Sequence, residues 1–451
     1  MTRNLAHRTI IVVGAGRSGL ALTDHLCRSG AKVILSDRRE KRQITGLERL
    51  ADCDVAFDFG GHAAELFRRA DLIVVSPGVP LTVPAIEEAR KAGVKVVGEI
   101  EIASSALQAP TVAVTGTNGK STTTTLLGEI YGGCGGRTFV GGNLGTPMVE
   151  AVGQQWDRVV VELSSFQLET IETFRPHHAL LLNISEDHLD RYPHMASYMD
   201  AKKRIFENQT ADDFMVLNAD DPLVKQLAEG ASARRVEFSL RRSLTEGMSL
   251  EKGDLVWRWQ NGEERFPVSQ LKIKGAHNLQ NVMAAMISPL IDGCAAKSVW
   301  QAATAFRGLP HRMEMIRTLD GVSYCNDSKA TNVGSVVKSL EGLDSPVTLI
   351  AGGKDKGGDY GPLSGPVKHK VTSLLLIGEA APRMEKELGD LTRCERFERL
   401  DAAVQRAREV TAPGGVVLLS PGCSSFDMFA SFEDRGRRFA RAVEQLENRS
   451  R

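Results

Sequence analysis

Residues 115–122 read Thr-Gly-Thr-Asn-Gly-Lys-Ser-Thr, between the apolar, strand-like stretch 111–114 and the helix-like stretch 123–130. In a strand–turn–helix of this kind, backbone N–H groups cradle phosphates, the lysine ammonium meets the β and γ oxygens, and the serine hydroxyl can ligate Mg²⁺. The full P-loop spacing would place glycine at position 114, where this chain has valine, so we interpret the turn as a shortened variant. A Gly-Lys-Ser that arose by chance is the alternative, but strand, glycines and helix coincide here. The residues predicted to bind a nucleoside triphosphate are Gly116, Thr117, Asn118, Gly119, Lys120, Ser121 and Thr122.

A second glycine-rich turn, Gly-Ala-Gly-Arg-Ser-Gly at 14–19, follows the strand-like residues 9–13 and precedes a helical stretch at 20–29. Its glycines let the backbone approach a pyrophosphate, and Asp37 stands where a ribose-binding acid is expected. Taken alone, this pattern favours NAD binding. A tight turn that needs glycine and a site for another nucleoside diphosphate are the alternatives.

Short, β-branched apolar segments alternate with helical stretches, which predicts parallel sheets covered by helices on both faces. The segments predicted as strands are 9–13, 32–35, 71–75, 94–97, 111–114, 159–161, 179–182, 215–217, 347–351, 374–377 and 416–420. Alternating residues around Trp257 and Trp259 indicate an antiparallel addition within 236–273. Pro110 and Pro310 favour extended linkers, because proline fixes its own φ and disfavours helix in the preceding residue. We therefore expect an α/β protein with three domains, at residues 1–109, 110–309 and 310–451.

Charge balance and cysteine pattern limit the classes of function. Lys plus Arg total 56 and Asp plus Glu total 56, a formal net charge of zero that disfavours a nucleic-acid binder. No apolar run approaches the roughly 18 residues that a membrane span needs, and the first residues lead into a strand rather than a signal peptide. Seven cysteines without a Cys-x-x-Cys pair predict reduced, mostly structural thiols in a cytoplasmic enzyme, not a disulfide framework or a zinc site. We interpret the basic clusters 38–42 and 435–441 as solvated faces.

Two further residues are candidate metal ligands. Glu162 comes directly after the predicted strand 159–161, and a carboxylate at the carboxyl end of a parallel strand points into the crevice where ligands bind. His188 follows the predicted strand 179–182. A lone histidine is more often structural, but a P-loop and Glu162 on neighbouring strand ends favour metal binding.

Six motifs, in this order along the chain, resemble the Mur ligase family of peptidoglycan synthesis: TGTNGKST, ELSSFQL, NISEDHLDRY, GLPHR, NDSKATN and SPGCSSFDMF. The last two are similar to the branch that adds D-glutamate to UDP-N-acetylmuramoyl-L-alanine. Sister ligases carry a different sequence at NDSKATN, and folylpolyglutamate synthetases share the P-loop but not this ending. The resemblance implies a Rossmann-like UDP domain, a central P-loop ATPase domain and a Rossmann-like C-terminal domain that receives the amino acid. It therefore also implies that the turn at 14–19 holds UDP rather than NAD.

The reaction that the resemblance implies is ATP-driven amide formation. The L-alanyl carboxylate attacks the γ-phosphate, and the amine of D-glutamate then attacks the resulting acyl phosphate. Because phosphoryl transfer depends on charge neutralisation, ATP and two Mg²⁺ ions are the expected cofactors. The expected metal ligands are Ser121, Glu162, His188 and a carbamylated Lys202, with Lys203 as the competing position for the carbamate. The residues expected to bind ATP beside the P-loop are Asn281, Arg312 and Asp327.

The resemblance also implies sites for the two other substrates. The residues expected to bind the UDP substrate are Gly14, Arg17, Ser18, Asp37, Arg38, Arg39, Ser76, Gly78, Asn143 and His188. The residues expected to bind D-glutamate are Thr331, Lys356, Ser425, Phe426 and Phe432, with Lys354 as the alternative to Lys356. The residues expected to act in catalysis are Lys120, His188, Lys202 and Lys356. Arginine at position 38 departs from the small hydroxyl residue common in the family, which leaves the side-chain contacts to uracil open.

The sequence leaves three rival functions. An NAD-dependent oxidoreductase would give residues 115–122 no role, and a P-loop regulatory module would hydrolyse ATP without forming an amide. A sister ligase would take another amino acid. We expect a monomer that acts on small molecules, with no nucleic-acid partner and no membrane span.

Overall fold

The computed structural model of the chain describes residues 5–185, 187, 191–192, 194–355, 357 and 359–447. Two compact units divide the chain, Met1–Phe306 and Arg307–Arg451. Among the described residues, no helix has both the length and the apolar character that a membrane crossing requires.

The first unit begins with a parallel five-stranded sheet. Its strands are β1 (Thr9–Val13), β2 (Lys32–Asp37), β3 (Val55–Phe59), β4 (Leu72–Val75) and β5 (Val96–Gly98). Its helices are α1 (Arg17–Arg28), α2 (Ala64–Arg68), α3 (Pro84–Lys91) and α4 (Glu99–Ala106). The strands lie in the order β3-β2-β1-β4-β5. The strand order therefore changes direction between β1 and β4, which is where open α/β sheets bind ligands.

A larger sheet completes the first unit. Its strands are β6 (Thr111–Thr115), β7 (Thr138–Gly142), β8 (Arg158–Glu162), β9 (His178–Leu181), β10 (Phe214–Asn218), β11 (Arg234–Ser239), β12 (Gly247–Glu251), β13 (Asp254–Trp259) and β14 (Gly262–Pro267). Its helices are α5 (Lys120–Gly133), α6 (Ser165–Leu168), α7 (Met195–Lys203), α8 (Pro222–Leu227), α9 (Ala276–Ile291) and α10 (Ala296–Ala305). The order is β14-β13-β12-β11-β10-β9-β6-β8-β7, antiparallel only among β12, β13 and β14. Here the order changes direction at β6, directly before the turn at 115–122.

The second unit has a six-stranded sheet in the order β15-β16-β20-β17-β18-β19, in which only β15 is antiparallel to its neighbour. Its strands are β15 (Glu314–Leu319), β16 (Val322–Asn326), β17 (Val347–Gly352), β18 (Val371–Ile377), β19 (Arg393–Phe397) and β20 (Val416–Leu419). Its helices are α11 (Val333–Glu341), α12 (Ser364–Lys370), α13 (Ala381–Leu388), α14 (Leu400–Val410) and α15 (Phe432–Glu444). Short 3₁₀ helices of the two units are Lys41–Gln43, Leu47–Leu50, Met148–Ala151, Arg204–Phe206, Val268–Gln270, Gly361–Leu363 and Gly389–Leu391.

The predicted α/β class is confirmed, and every predicted strand overlaps an observed one. The antiparallel addition expected within 236–273 is formed by β12, β13 and β14. Helix α1 begins at Arg17, earlier than the predicted stretch 20–29, because Gly16 is already its extended N-cap. The predicted domain limits 1–109, 110–309 and 310–451 stay predictions.

Two buried glutamates on α4 attach this helix to segments of the second sheet's domain. Glu101 accepts hydrogen bonds from the backbone N–H groups of residues 172–174, at 2.8 to 3.0 Å. Glu99 accepts one from the backbone N–H of Val149 at 2.6 Å. Burial raises the pKa of Glu99 to about 7 despite that hydrogen bond.

We expect Glu99 to make the stability of the first unit depend on pH. Its contribution is complete below its unfolded pKa of 4.5 and is lost as the pH rises through about 7. The free energy of unfolding should therefore fall by about 2–3 kcal/mol between pH 5 and pH 8 in wild type but not in Glu99→Gln, which cannot ionise. Urea unfolding followed by tryptophan fluorescence measures this, because all four tryptophans lie in the first unit. Glu87→Gln, at an exposed position of α3, is the control and should keep the wild-type dependence; an equal fall in Glu99→Gln would contradict the assignment.

Candidate functional site

The turn at 115–122 connects β6 to α5 and depends on its glycines. Gly116 and Gly119 have φ values of 147° and 85°, in the region that favours glycine. A Cβ on Gly119 would lie 2.1 Å from Oδ1 of Asn281 on α9. Gly119 is the N-cap of α5, with no side-chain cap and no acidic residue in the first helical turn. The uncapped N–H groups and the positive end of the helix dipole therefore favour an anion at this point.

Lys120 folds back over the turn. Its Nζ donates to the carbonyl oxygens of Gly116 and Thr117, both at 2.9 Å. Ser121 follows it half-buried on the first turn of α5, and Thr122 is buried. The turn thus presents an ammonium, a hydroxyl and helix N–H groups together, which is the donor set that a triphosphate needs.

The segment after β9 closes one side of the turn. The backbone N–H of Thr117 donates to the carbonyl of Asn183 at 3.0 Å, and that of Asn118 donates to Oδ1 of Asn183 at 2.8 Å. The N–H of Ser185 donates to Oγ1 of Thr117 at 3.0 Å. The predicted metal ligand His188 follows shortly after and lies outside the described residues.

Glu162 lies at the end of β8 and is bound by Asn143 through one carboxylate oxygen. Its Oε1 accepts from Nδ2 of Asn143 at 2.7 Å, and its backbone carbonyl accepts from the N–H of Asn143 at 2.8 Å. Its Oε2 is buried and has no hydrogen-bond partner among the described residues. An orphaned, buried carboxylate oxygen is costly unless a cation or water satisfies it, so this oxygen fits a hard metal ion such as Mg²⁺. The structure therefore places two predicted site residues, Glu162 and Asn143, in direct contact.

Lys202 is buried beneath the turn, with an exposed fraction of 1%. Its Nζ donates to the carbonyl of Gly116 at 2.9 Å and to Oγ1 of Thr115 at 3.2 Å. Tyr198, one turn earlier on α7, places its ring 4.9 Å from this Nζ. Burial, and next the positive charge of Lys120, lower the pKa of Lys202 well below its usual value. The competing residue, Lys203, is exposed, and the assignment of the carbamate to Lys202 stays a prediction.

Asn281, on α9, packs against the start of α5. It is buried, and its Oδ1 lies 3.4 Å from the Oγ1 donor of Thr123. Its predicted contact with adenine stays a prediction, but its place beside the P-loop agrees with a nucleotide site.

The turn at 14–19 connects β1 to the start of α1, at the point of the sheet where β1 pairs with β4. Gly14 has a φ of 97°, and a Cβ on Gly19 would lie 1.8 Å from the carbonyl oxygen of Gly14. Oγ of Ser76 donates to that same carbonyl at 3.0 Å. Gly16, the N-cap of α1, provides no side-chain cap, so α1 also begins with uncapped N–H groups. The geometry suits a pyrophosphate.

Asp37 holds the same turn from the end of β2. Its Oδ2 accepts from the N–H of Ala15 at 2.7 Å and from Arg39 at 2.8 Å. Burial raises the pKa of Asp37, but the hydrogen bonds from Arg39 and Ala15 outweigh it and lower the value to about 2. Asp37 is therefore ionised and engaged with the protein itself. The predicted contacts of Arg17, Ser18, Arg38 and Gly78 with the UDP substrate stay predictions; Arg17, Arg38 and Gly78 are exposed and Ser18 is half-buried.

In the second unit, the structure joins the segments that carry the predicted glutamate residues. Oγ of Ser328 donates to the carbonyl of Phe432 at 2.8 Å. The N–H of Gly422 donates to the carbonyl of Ala330, directly before Thr331, at 2.9 Å. The N–H of Lys354 donates to the carbonyl of Ser424, directly before Ser425, at 2.9 Å. Phe426 is 69% exposed, and Lys356 lies outside the described residues.

Asp327, predicted to bind ATP, is buried within the second unit. Its carboxylate accepts from Oγ of Ser339 at 2.6 Å, from Oγ of Ser420 at 2.8 Å and from the N–H of Met313 at 3.3 Å. Burial raises its pKa to about 6 against these hydrogen bonds. Asp327 thus fixes the backbone beside Arg312, and the ATP contacts predicted for both residues stay predictions.

Arg435 corrects the prediction that the basic cluster 435–441 is solvated. This residue of α15 is completely buried. Its guanidinium donates to Oγ of Ser328 at 2.9 Å and to the carbonyls of Cys423 and Ser424 at 3.1 and 3.3 Å. Arg435 therefore connects the motifs NDSKATN and SPGCSSFDMF. Its spacing from the partly buried Phe432 and the buried Phe439 places it on the apolar face of α15, a signal in the sequence that we missed.

Sequence reasoning also missed Tyr198 and Asn183. Tyr198 OH lies 3.0 Å from Oγ1 of Thr117, and its place four residues before Lys202 put both on one helix face. Asn183 follows an apolar strand, the same positional signal that identified Glu162.

Three family models match the chain in order. The Mur ligase MurD-like N-terminal domain matches residues 8–98, the Mur ligase middle domain matches 114–288, and the Mur ligase glutamate ligase domain matches 311–423.

Curated relatives match the chain over nearly its whole length. UDP-N-acetylmuramoylalanine--D-glutamate ligase of Syntrophotalea carbinolica is 55% identical, covering 97% of this chain and 98% of its own. The protein of the same name from Geotalea uraniireducens is 52% identical, covering 98% of this chain and 99% of its own.

Solved structures share the fold at low identity. A pseudomurein peptide ligase type C from Methanothermus fervidus aligns with a TM-score of 0.60 and 18% identity, covering 98% of this chain and 100% of its own. UDP-N-acetylmuramate-alanine ligase MurC from Thermotoga maritima aligns with a TM-score of 0.59 and 20% identity, with the same coverage.

Proposed function

This chain belongs to the Mur ligase family, and we propose that it is an ATP-dependent ligase that adds D-glutamate to UDP-N-acetylmuramoyl-L-alanine in peptidoglycan precursor synthesis. The observation that carries the proposal is that Lys120 and Lys202 both donate to the turn at 115–122, at the carboxyl end of β6. Glu162 ends the neighbouring strand β8, and its Oε2 has no hydrogen-bond partner among the described residues. High identity to D-glutamate ligases over almost the full length supports the choice of amino acid.

The chemistry explains why the site concentrates cations. The L-alanyl carboxylate is an anion that must approach an anionic triphosphate, so the barrier depends on charge neutralisation and in-line positioning. Lys120 and the N–H groups at the start of α5 would bind the β and γ phosphates. Attack by one carboxylate oxygen forms the acyl phosphate and releases ADP. The neutral amine of D-glutamate then attacks the acyl carbon, and inorganic phosphate leaves with that carboxylate oxygen.

Magnesium fits the donor set of this chain. Oε2 of Glu162 and the hydroxyl of Ser121 are oxygen ligands, which Mg²⁺ prefers, and His188 is proposed as a further ligand. When bound, the ion would offset negative charge on the phosphates and the carboxylate. Asn143 holds Glu162 through Oε1, which leaves Oε2 for the metal.

We assign carbamylation to Lys202 because this amine is buried and its pKa is lowered. Only a neutral amine reacts with CO₂, and burial together with Lys120 favours the neutral form. The carbamate would turn a cationic side chain into an oxygen ligand beside Lys120 and the metal.

We assign the UDP substrate to the turn at 14–19 and D-glutamate to residues of the second unit. The start of α1, with Gly14 and Ser76, would bind the pyrophosphate of the UDP substrate. Thr331, Lys356, Ser425 and Phe432 would bind D-glutamate in the second unit. We propose that the reaction takes place in the cytoplasm, where ATP and nucleotide-linked precursors are available, and that the protein is a monomer that needs no macromolecular partner.

A phosphate-release assay tests this function. The purified chain with ATP and Mg²⁺ is tested against UDP-muramoyl nucleotides carrying no residue, L-alanine, or L-alanyl-D-glutamate, each with a panel of amino acids. We expect release only when UDP-N-acetylmuramoyl-L-alanine and D-glutamate are both present. Release with another pair would identify a sister ligase, and release without an amino acid would identify an ATPase module.

A further inference from the structure

Tyr360 connects two loops of the second unit, at 352–358 and 421–425. Its side chain is buried, with an exposed fraction of 2% for the residue. Its hydroxyl donates to Oδ1 of Asp355 at 3.2 Å and lies 3.3 Å from Sγ of Cys423. Because the single hydroxyl proton is directed to Asp355, the Cys423 thiol is the donor in the second contact. One hydroxyl group therefore holds both loops.

Both loops carry residues that are predicted to bind D-glutamate. Asp355 stands between Lys354 and Lys356, the two alternatives for the lysine that binds the amino acid. Cys423 comes two residues before Ser425. The backbones of the loops also meet, since the N–H of Lys354 donates to the carbonyl of the residue after Cys423 at 2.9 Å. The hydroxyl of Tyr360 thus adds a side-chain connection to a backbone one.

Arg383, on α13, holds the same carboxylate. Its Nη1 donates to both oxygens of Asp355 at 3.3 Å, and its guanidinium lies 5.1 Å from the centre of the Tyr360 ring. The N–H of Gly357 donates to Oδ1 of Asp355 at 2.8 Å. This backbone hydrogen bond, together with the contacts from Arg383 and Tyr360, outweighs burial and keeps the pKa of Asp355 below its usual value. Asp355 is therefore ionised, and donors from three residues fix its carboxylate.

A fixed loop matters for a substrate such as D-glutamate. The loop 352–358 contains four glycines, so ordering it only when the amino acid binds would cost conformational entropy. An anchor that orders the loop beforehand reduces this cost and raises affinity. The pairing with Arg383 also offsets the charge of Asp355, which would otherwise repel the two carboxylates of the substrate.

We propose that Tyr360 is a positioning residue for the amino-acid substrate, because its hydroxyl holds the loop 352–358 against the segment 423–425 before D-glutamate binds. This inference rests on the proposed ligase function. Tyr360 acts through Asp355 and Cys423 rather than through a contact of its own with the substrate. Its loss should therefore raise KM for D-glutamate and leave kcat nearly unchanged.

The test measures phosphate release by the full chain at varied D-glutamate, with ATP and UDP-N-acetylmuramoyl-L-alanine saturating. Tyr360→Phe should raise KM for D-glutamate about fivefold or more, as the loss of one buried hydrogen bond predicts. It should keep kcat, and KM for ATP, within about twofold of wild type. A retained kcat also shows that the second unit of the variant is folded. Tyr324→Phe, which loses another buried hydroxyl of this unit on β16, is the control and should keep the wild-type KM for D-glutamate.

A double variant separates positioning through Asp355 from a general effect on packing. Asp355→Ala should also raise KM for D-glutamate. Adding Tyr360→Phe to Asp355→Ala should raise KM by a smaller factor than Tyr360→Phe does in wild type, because the two residues share one contact.

Three results would overturn this inference alone: a wild-type KM in Tyr360→Phe, an equal rise in KM for ATP, or fully multiplicative effects in the double variant. Wild-type protein that releases phosphate without D-glutamate would overturn the ligase function as well. The wild-type rate with and without D-glutamate therefore distinguishes the two failures.

Discussion

Lys120→Met should lower kcat for D-glutamate-dependent phosphate release by about 10³-fold or more, because a single positioned cation on a transferring phosphoryl group is worth that much in comparable sites. In the structure its Nζ lies over the turn, bound to the carbonyls of Gly116 and Thr117. Lys120→Arg should not restore the rate, since a planar guanidinium does not replace a compact ammonium in this turn. Initial rates at saturating substrates measure the effect.

Lys203→Met is the matched control, because it removes an exposed lysine near the same site. It should keep kcat within about twofold of wild type. Tryptophan fluorescence during urea unfolding verifies that Lys120→Met is folded. A folded Lys120→Met protein with wild-type kcat would show that the turn does not act on the transferred phosphate.

The second large effect is expected at Lys202. Lys202→Met should lower kcat by about 10²-fold or more, since it removes a proposed metal-ligand oxygen close to the phosphates. The wild-type protein incubated with ¹³C-bicarbonate should show a carbamate signal by NMR that is absent from Lys202→Met. The activity of the wild-type protein should also fall when CO₂ is removed.

Lys203→Met is again the control, because it removes an exposed lysine next to Lys202 and leaves Lys202 in place. It should keep both the carbamate signal and the response to CO₂. A carbamate signal that persists in Lys202→Met, or activity of wild type that does not change with CO₂, would contradict the assignment to Lys202.

The sequence predicted most of the central strands of the sheets but only some of the edge strands. Strands such as β6 and β17 are buried along their whole length, and helices on both faces require the continuous apolar runs by which we predicted them. Five strands were not predicted: β3, β7, β15 and β19, which lie at the edge of a sheet, and β16, which lies inside the sheet of the second unit. The residues of the four edge strands alternate or include charges and glycines, as in Arg-Cys-Glu-Arg-Phe of β19, because one side of an edge strand faces solvent. Strand β16, Val-Ser-Tyr-Cys-Asn, is mostly buried but interrupts its apolar residues with serine and asparagine.

In the candidate site, too, local motifs were predicted from the sequence and contacts between distant segments were not. The P-loop could be predicted because glycine spacing, strand and helix are local properties of the sequence. Contacts made between distant segments could not, and Arg435 shows why: its partners Ser328 and Cys423 come from separate loops.

The most direct test of the ligase account follows one oxygen atom. UDP-N-acetylmuramoyl-L-alanine labelled with ¹⁸O in its carboxylate is turned over with ATP and D-glutamate, and the released phosphate is analysed by mass spectrometry. An acyl-phosphate route predicts that one ¹⁸O atom passes to inorganic phosphate for each amide formed. Phosphate without ¹⁸O, released while the amide accumulates, would contradict the account.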